Sequence, residues 1–198
     1  MAYTDFTLES AESALGVLAE PGDLFPGLAP AAVPPWLDHL LTANRRLALS
    51  TEKARSEFLV APILMAVREA SGYAIAILSG QRLDVDVARQ LHGECDFLLT
   101  RSPPVPRVRA PLVAVVEAKR HDIDGGLGQC IAQMVAAAVF NDRAGEPLTT
   151  VYGCVTTGEN WQFLGLTGAA VTLHQPRLYL AEVGLILAAF AQAVSPAA

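Results

Sequence analysis

The chain has 198 residues, is 52% hydrophobic and carries a formal net charge of −6, which fits one well-cored domain with a small appendage and excludes a disordered protein. The acidic balance counts against a nucleic-acid binder of the usual basic kind, and three widely spaced cysteines (Cys95, Cys130, Cys154) without a CxxC pair count against a disulfide framework or a structural zinc site. No apolar run reaches the roughly 18 residues that span a bilayer, and the acidic start MAYTDFTLESAE has no signal-like segment, so a cytoplasmic protein with no membrane partner is expected.

Residues 1–49 read as a helical appendage: a short helix over 10–20, the Pro/Gly-rich connection PGDLFPGLAPAAVPP, and a helix over 35–48 whose Trp36, Leu37, Leu40 and Leu41 recur at packing spacing. Ser50 is placed to cap a long amphipathic helix running to about Ala70, kinked or divided by Pro62 and ended by Ser71-Gly72. Leu59, Ile63, Leu64 and Val67 make its apolar stripe. Glu57 lies close to that stripe; taken alone it reads as a surface carboxylate paired with Lys53 or Arg55.

From Tyr73 the period changes to that of strands, with YAIAIL, RLDVDV and ECDFLLTR in succession. Asp96 stands at the start of the third, ahead of an otherwise apolar run. The proline-rich loop SPPVPRVRAP then leads to a β-branched strand over 112–116, so the two strands are expected to be antiparallel neighbours. That strand ends in Glu117-Ala118-Lys119, and strand alternation puts Glu117 and Lys119 on one face. Asp96 and Glu117 then meet at one sheet edge, where two carboxylates repel unless they are protonated or neutralised, most simply by a divalent hard cation.

A glycine-rich turn follows, then a helix from near Gly126 with Gln129 and Gln133 four residues apart on one face. Strands over 150–157, 161–166 and 170–174 read as a meander and 181–194 as a closing helix, giving a mixed sheet with helices packed on it. Trp161 and Phe163 read as core or sheet-face aromatics, with base stacking the lesser alternative. Charge is uneven: within 101–120, Arg101, Arg107, Arg109, Lys119 and Arg120 face the single acid Glu117. That segment either solubilises an exposed loop or forms a phosphate-binding patch.

The ordered set of Glu57 on a helix, Asp96 on a strand, Glu117-Ala118-Lys119 on the next strand, and Gln129 and Gln133 on the following helix resembles the PD-(D/E)XK nuclease superfamily. The likeness covers roughly residues 50–165, carried by SEFLVAPIL, GECDFLLTRSP, VAVVEAKR, GLGQCIAQMVAAAVFN and YGCVTTGENWQFL, which look like an uncharacterised bacterial branch. Cys95 stands where the signature has its proline. The resemblance implies an α/β (α+β) restriction-endonuclease-like core, a mixed central sheet flanked by helices, over residues 50–198. It implies Mg²⁺ or Mn²⁺ held by Asp96, Glu117 and the Ala118 carbonyl with help from Glu57, and Lys119 acting on the attacking water and the scissile phosphate. Gln133 would join the catalytic set and Gln129 would orient it. Arg101, Arg107, Arg109 and Arg120 are the candidate nucleic-acid contacts. The expected activity is phosphodiester hydrolysis, on DNA in preference to RNA, by the chain as a homodimer or with a partner subunit. The alternative expectation is a non-catalytic protein that keeps the nuclease-like fold and works with a partner.

Overall fold

Strand β4 (Leu112–Ala118) is buried along its whole length, as its unbroken apolar run requires of a strand covered on both faces. The computed structural model, which describes residues 2–195, builds a sheet outward from it in the order β1-β7-β6-β5-β4-β3-β2. On one side lie β3 (Glu94–Thr100), antiparallel to β4, and β2 (Ala76–Arg82), antiparallel to β3. On the other, β5 (Val151–Thr156) runs parallel to β4, followed by β6 (Asn160–Thr167) and β7 (Ala170–His174), each antiparallel to the strand before it. The two-residue β8 (Leu178–Tyr179) pairs with the start of β6. The fold is therefore mixed α/β, a central mixed sheet flanked by helices.

The parallel β4–β5 pair needs a crossover, and α5 (Leu127–Arg143) supplies it. This helix covers one face of the sheet, where Ile131, Met134 and Val135 join Val115 and Leu98, and α1 (Leu8–Leu15) lies against it. The contact is close: a side chain at Gly128 would fall 2.3 Å from the Thr7 backbone. The opposite face is covered by α4 (Ala61–Ala70) and α6 (Val183–Val194), with α2 (Pro35–Asn44) contributing Leu37 and Leu41.

The amino-terminal segment differs from its expected form. The helix ends at Leu15, because Gly16 takes the left-handed conformation at φ 70°, and the chain continues as β1 (Leu18–Gly22), parallel to β7. Phe25 beyond it is buried against Phe163 and Tyr152. The RLDVDV stretch is also not a strand. Asp84 accepts the Gly93 N–H and pairs with Arg82, which ends β2 there, and residues 83–93 form a loop holding one isolated bridge, Asp86 to Leu91.

The long helix over 51–70 is present in three parts: α3 (Glu52–Arg55), one π-helical turn (Ser56–Val60) and α4. Its cap is Thr51, whose hydroxyl accepts from the Ala54 N–H, and not Ser50. The π-turn has a local cause. Pro62 offers no N–H to the Phe58 carbonyl, and Asn44 Nδ2 donates to that oxygen instead at 2.8 Å.

Candidate functional site

Register brings the two strand carboxylates together. Phe97 opposes Val116, so the next step places Asp96 opposite Glu117, and the Ala118 N–H donates to Asp96 Oδ2 at 2.7 Å. The adjoining strand opens at this point. Ser79 opposes Phe97 and Gln81 opposes Cys95, which brackets Gly80 across from Asp96, and Gly80 departs from the ladder at φ 62°. A cleft of about 280 Å³ results, lined by Asp96, Ala118, Gly80, Glu52, Lys53 and Glu57 among others.

Behind the cleft, Glu117 is held from both sides. Lys119 Nζ donates to its Oε1 at 2.8 Å and Gln133 Nε2 donates to its Oε2 at 2.8 Å. Lys119 Nζ also donates to Gln129 Oε1 at 2.8 Å. The four-residue spacing of the glutamines thus clamps the two ends of one ion pair, Gln133 on the carboxylate and Gln129 on the ammonium. Gly126 lets the lysine lie there: a side chain at that position would come 2.8 Å from Val155 Cγ1 and 3.0 Å from Lys119 Cε.

Burial dominates the electrostatics. Glu117 is only 3% exposed. Loss of water, and then the charge of Asp96, push its pKa up from the ordinary 4.5 to about 7, against the opposing pull of Lys119 and Gln133. Asp96 is raised too, by burial foremost, with the Ala118 N–H opposing and Glu52 adding repulsion. Burial works to lower Lys119, but the charge and hydrogen bond of Glu117, followed by Glu52 and Asp96, outweigh it and the net shift is upward. Lys119 is therefore an ammonium at neutral pH. Gln133 Oε1 is fully buried without a partner, a cost of about 1–3 kcal/mol that the fold carries beside these charges.

Glu57 reaches the cleft, but it is exposed and lies 3.8 Å from Lys53 in an i,i+4 pair, the plainer of its two readings. The helix acid that acts electrostatically on both Asp96 and Lys119 is Glu52, which sequence reasoning passed over. Its place in the first turn of α3 looks like an ordinary dipole-favoured acid, so the only available signal was that it opens the same helix.

The basic segment does not gather at the site. Arg101 donates to the Val194 and Ser195 carbonyls, ending α6, and Arg107 and Arg109 sit on the loop joining the far ends of β3 and β4. From Leu112 to Glu117 is five strand steps, roughly 17 Å. Only Lys119 and Arg120 share the end with Glu117, while the cleft itself has Glu52, Glu57, Glu94 and Asp96 against Lys53. Trp161 is fully buried, with its indole N–H donating to the Gly158 carbonyl, so it offers no stacking surface.

Among the described residues no three His, Cys, Asp or Glu side chains converge closely enough to hold an ion unaided, so the donors to consider are Asp96, Glu117 and the Ala118 carbonyl. They suit a hard divalent cation: all are oxygens, Asp96 Oδ1 accepts no hydrogen bond among the described residues, and both carboxyls are raised by burial in a way that a positive charge would relieve. No helix of the described residues is long and apolar enough to cross a membrane. No protein-family model matches the chain, and no curated protein matches it.

Proposed function

We propose that this protein is a metal-dependent nuclease of the PD-(D/E)XK type, working in the cytoplasm, with its sheet as a restriction-endonuclease-like core. The observation that carries this reading is the desolvated Glu117–Lys119 pair, clamped by Gln133 and Gln129 and set behind the cleft that Asp96 and Ala118 line. A purely structural role has little use for two raised carboxyls and an ammonium at one strand end.

Asp96, Glu117 and the Ala118 carbonyl would hold Mg²⁺ or Mn²⁺, with Glu52 or Glu57 available from the helix. The ion would supply Lewis-acid stabilisation of phosphate charge and an acidified water. Lys119, protonated and fixed by Gln129, is suited to orient the attacking water and to offset charge developing on the phosphate. Gln133 holds the Glu117 carboxylate in place. The substrate proposed is DNA in preference to RNA. The acidic lining would repel a polyanion until a cation is bound.

That acidity, together with the removal of Arg101, Arg107 and Arg109 to the opposite end, favours a second reading, in which the chain is a non-catalytic nuclease-like protein acting with a partner subunit. Nicking of plasmid DNA in Mg²⁺ or Mn²⁺, run beside metal calorimetry, separates the two. Lys119→Ala should keep metal binding, since an ammonium is no ligand, and lose cleavage by 10²-fold or more. Glu117→Ala should lose both. Wild-type protein that binds neither metal, or that cleaves neither DNA nor RNA with either, overturns the nuclease reading.

A further inference from the structure

A trough of about 390 Å³ runs between α2 and α4, on the outer side of the helix that lines the cleft, with Glu57 on the ridge shared by both. Large apolar side chains stand exposed along it: Trp36 at 39%, Leu40 at 37%, Met65 at 50% and Tyr73 at 62%. Such side chains scattered singly are ordinary on a folded protein; four lining one concavity are not. Tyr73 adds a second sign. It is a bulky residue held at φ 64°, a conformation that costs free energy, and it displays its ring to solvent over Arg68, whose own Nε is committed to the Ile75 carbonyl.

The charged residues that line the trough are both acids, Glu57 and Glu69. Lys53 lies 3.8 Å from Glu57, but that pair is exposed and worth little, so a docked cation can take its place. Twelve helical residues separate the two acids, which is roughly 18 Å, so an acid brackets each end of an apolar floor. Glu69 accepts the Trp36 indole N–H on one oxygen at 2.8 Å and keeps the other for an incoming cation.

We propose that this trough docks an amphipathic helical segment of another polypeptide, about three turns long, with an apolar face for Trp36, Leu40 and Met65 and with lysine or arginine at both ends for Glu57 and Glu69. Helix-in-groove recognition matches the length and shape, and the bracketing acids select the charge. A second copy meeting the same face by a twofold axis is a poorer occupant, because the lining of the trough has two glutamates and no lysine or arginine to offer them. The inference stands whether or not the protein cleaves DNA.

The test uses full-length protein and a synthetic 16-residue amphipathic peptide with leucines at helical spacing and lysines at both ends, beside the same peptide ended in glutamates. Trp36 reports directly, since the other tryptophan, Trp161, is fully buried. The lysine-ended peptide should shift Trp36 emission to the blue in a saturable way and bind at least tenfold more tightly than the glutamate-ended one. Met65→Glu, at a half-exposed position that the fold does not need, should weaken binding at least tenfold, and Glu69→Lys about three- to tenfold. Circular dichroism melts confirm that both variants remain folded. No shift with the lysine-ended peptide, equal binding of both peptides, or full binding by folded Met65→Glu overturns the proposal. Wild-type dimers that Met65→Glu dissociates, or a Trp36 shift on phosphatidylcholine vesicles in place of peptide, overturn it in favour of self-association or a lipid surface.

Discussion

Replacing Glu117 by glutamine should stabilise the protein at pH 8 and leave it unchanged at pH 5. The carboxyl holds its proton to about 7 in the folded chain and releases it near the ordinary 4.5 when unfolded. Between those values folding takes up a proton. The group's contribution is therefore most favourable below about 4.5 and is lost as pH rises through about 7, the reverse of a carboxylate stabilised by its pairing. At about 1.4 kcal/mol per pH unit, the ionised carboxylate costs on the order of 3 kcal/mol above neutrality. Glutamine removes the charge and keeps an acceptor for Lys119, but the ammonium loses its counter-charge, so a net gain of about 1–2 kcal/mol is expected at pH 8. For a chain of this size that is roughly 3–6 °C in Tm. Thermal melts of wild type and Glu117→Gln in EDTA from pH 5 to pH 8 should show the two curves converging as pH falls. Adding Mg²⁺ at pH 8 should raise the wild type alone and narrow the gap. A gap of equal size at pH 5 and pH 8, or a variant less stable than wild type at pH 8, would refute the account of Glu117 as an ionised, desolvated carboxylate.

Gly126→Ala tests the seat of the lysine: the new methyl group would lie 2.8 Å from the Cγ1 of buried Val155 and 3.0 Å from Lys119 Cε, so the helix start and the lysine must both shift, and Mn²⁺-dependent nicking should fall about 10- to 100-fold with some loss of Tm. Unaltered nicking by a folded variant would mean that the position of Lys119 is not critical. Asn141→Ala addresses how β4 begins. The buried amide accepts from the Leu112 N–H at 2.7 Å and donates to the Leu112 carbonyl at 2.9 Å, so its loss orphans two buried backbone groups and should cost about 2–4 kcal/mol, read as a lower midpoint in urea.

Periodicity made the centre of the molecule legible in the sequence. Alternation alone put Glu117 and Lys119 on one face of a strand, and a four-residue helical step alone put Gln129 and Gln133 on one face of α5; both hold because they depend only on backbone geometry. The antiparallel pairing of β3 with β4 followed from the short proline-rich loop between them. What local rules could not supply was distance through space. Glu52 influences Asp96 because the start of α3 and the start of β3 line one cleft, a relation that no spacing encodes. The arginines of 101–109 lie within twenty residues of Lys119 in sequence but at the other end of a strand, because β4 must run its length between them. Strand β1 was hidden for a related reason: Leu18–Gly22 is too short and too polar to declare itself, and only pairing with β7 makes it a strand. Sequence set the chemistry of each element; the packing of elements against one another decided which charges face each other and therefore which pKa values move.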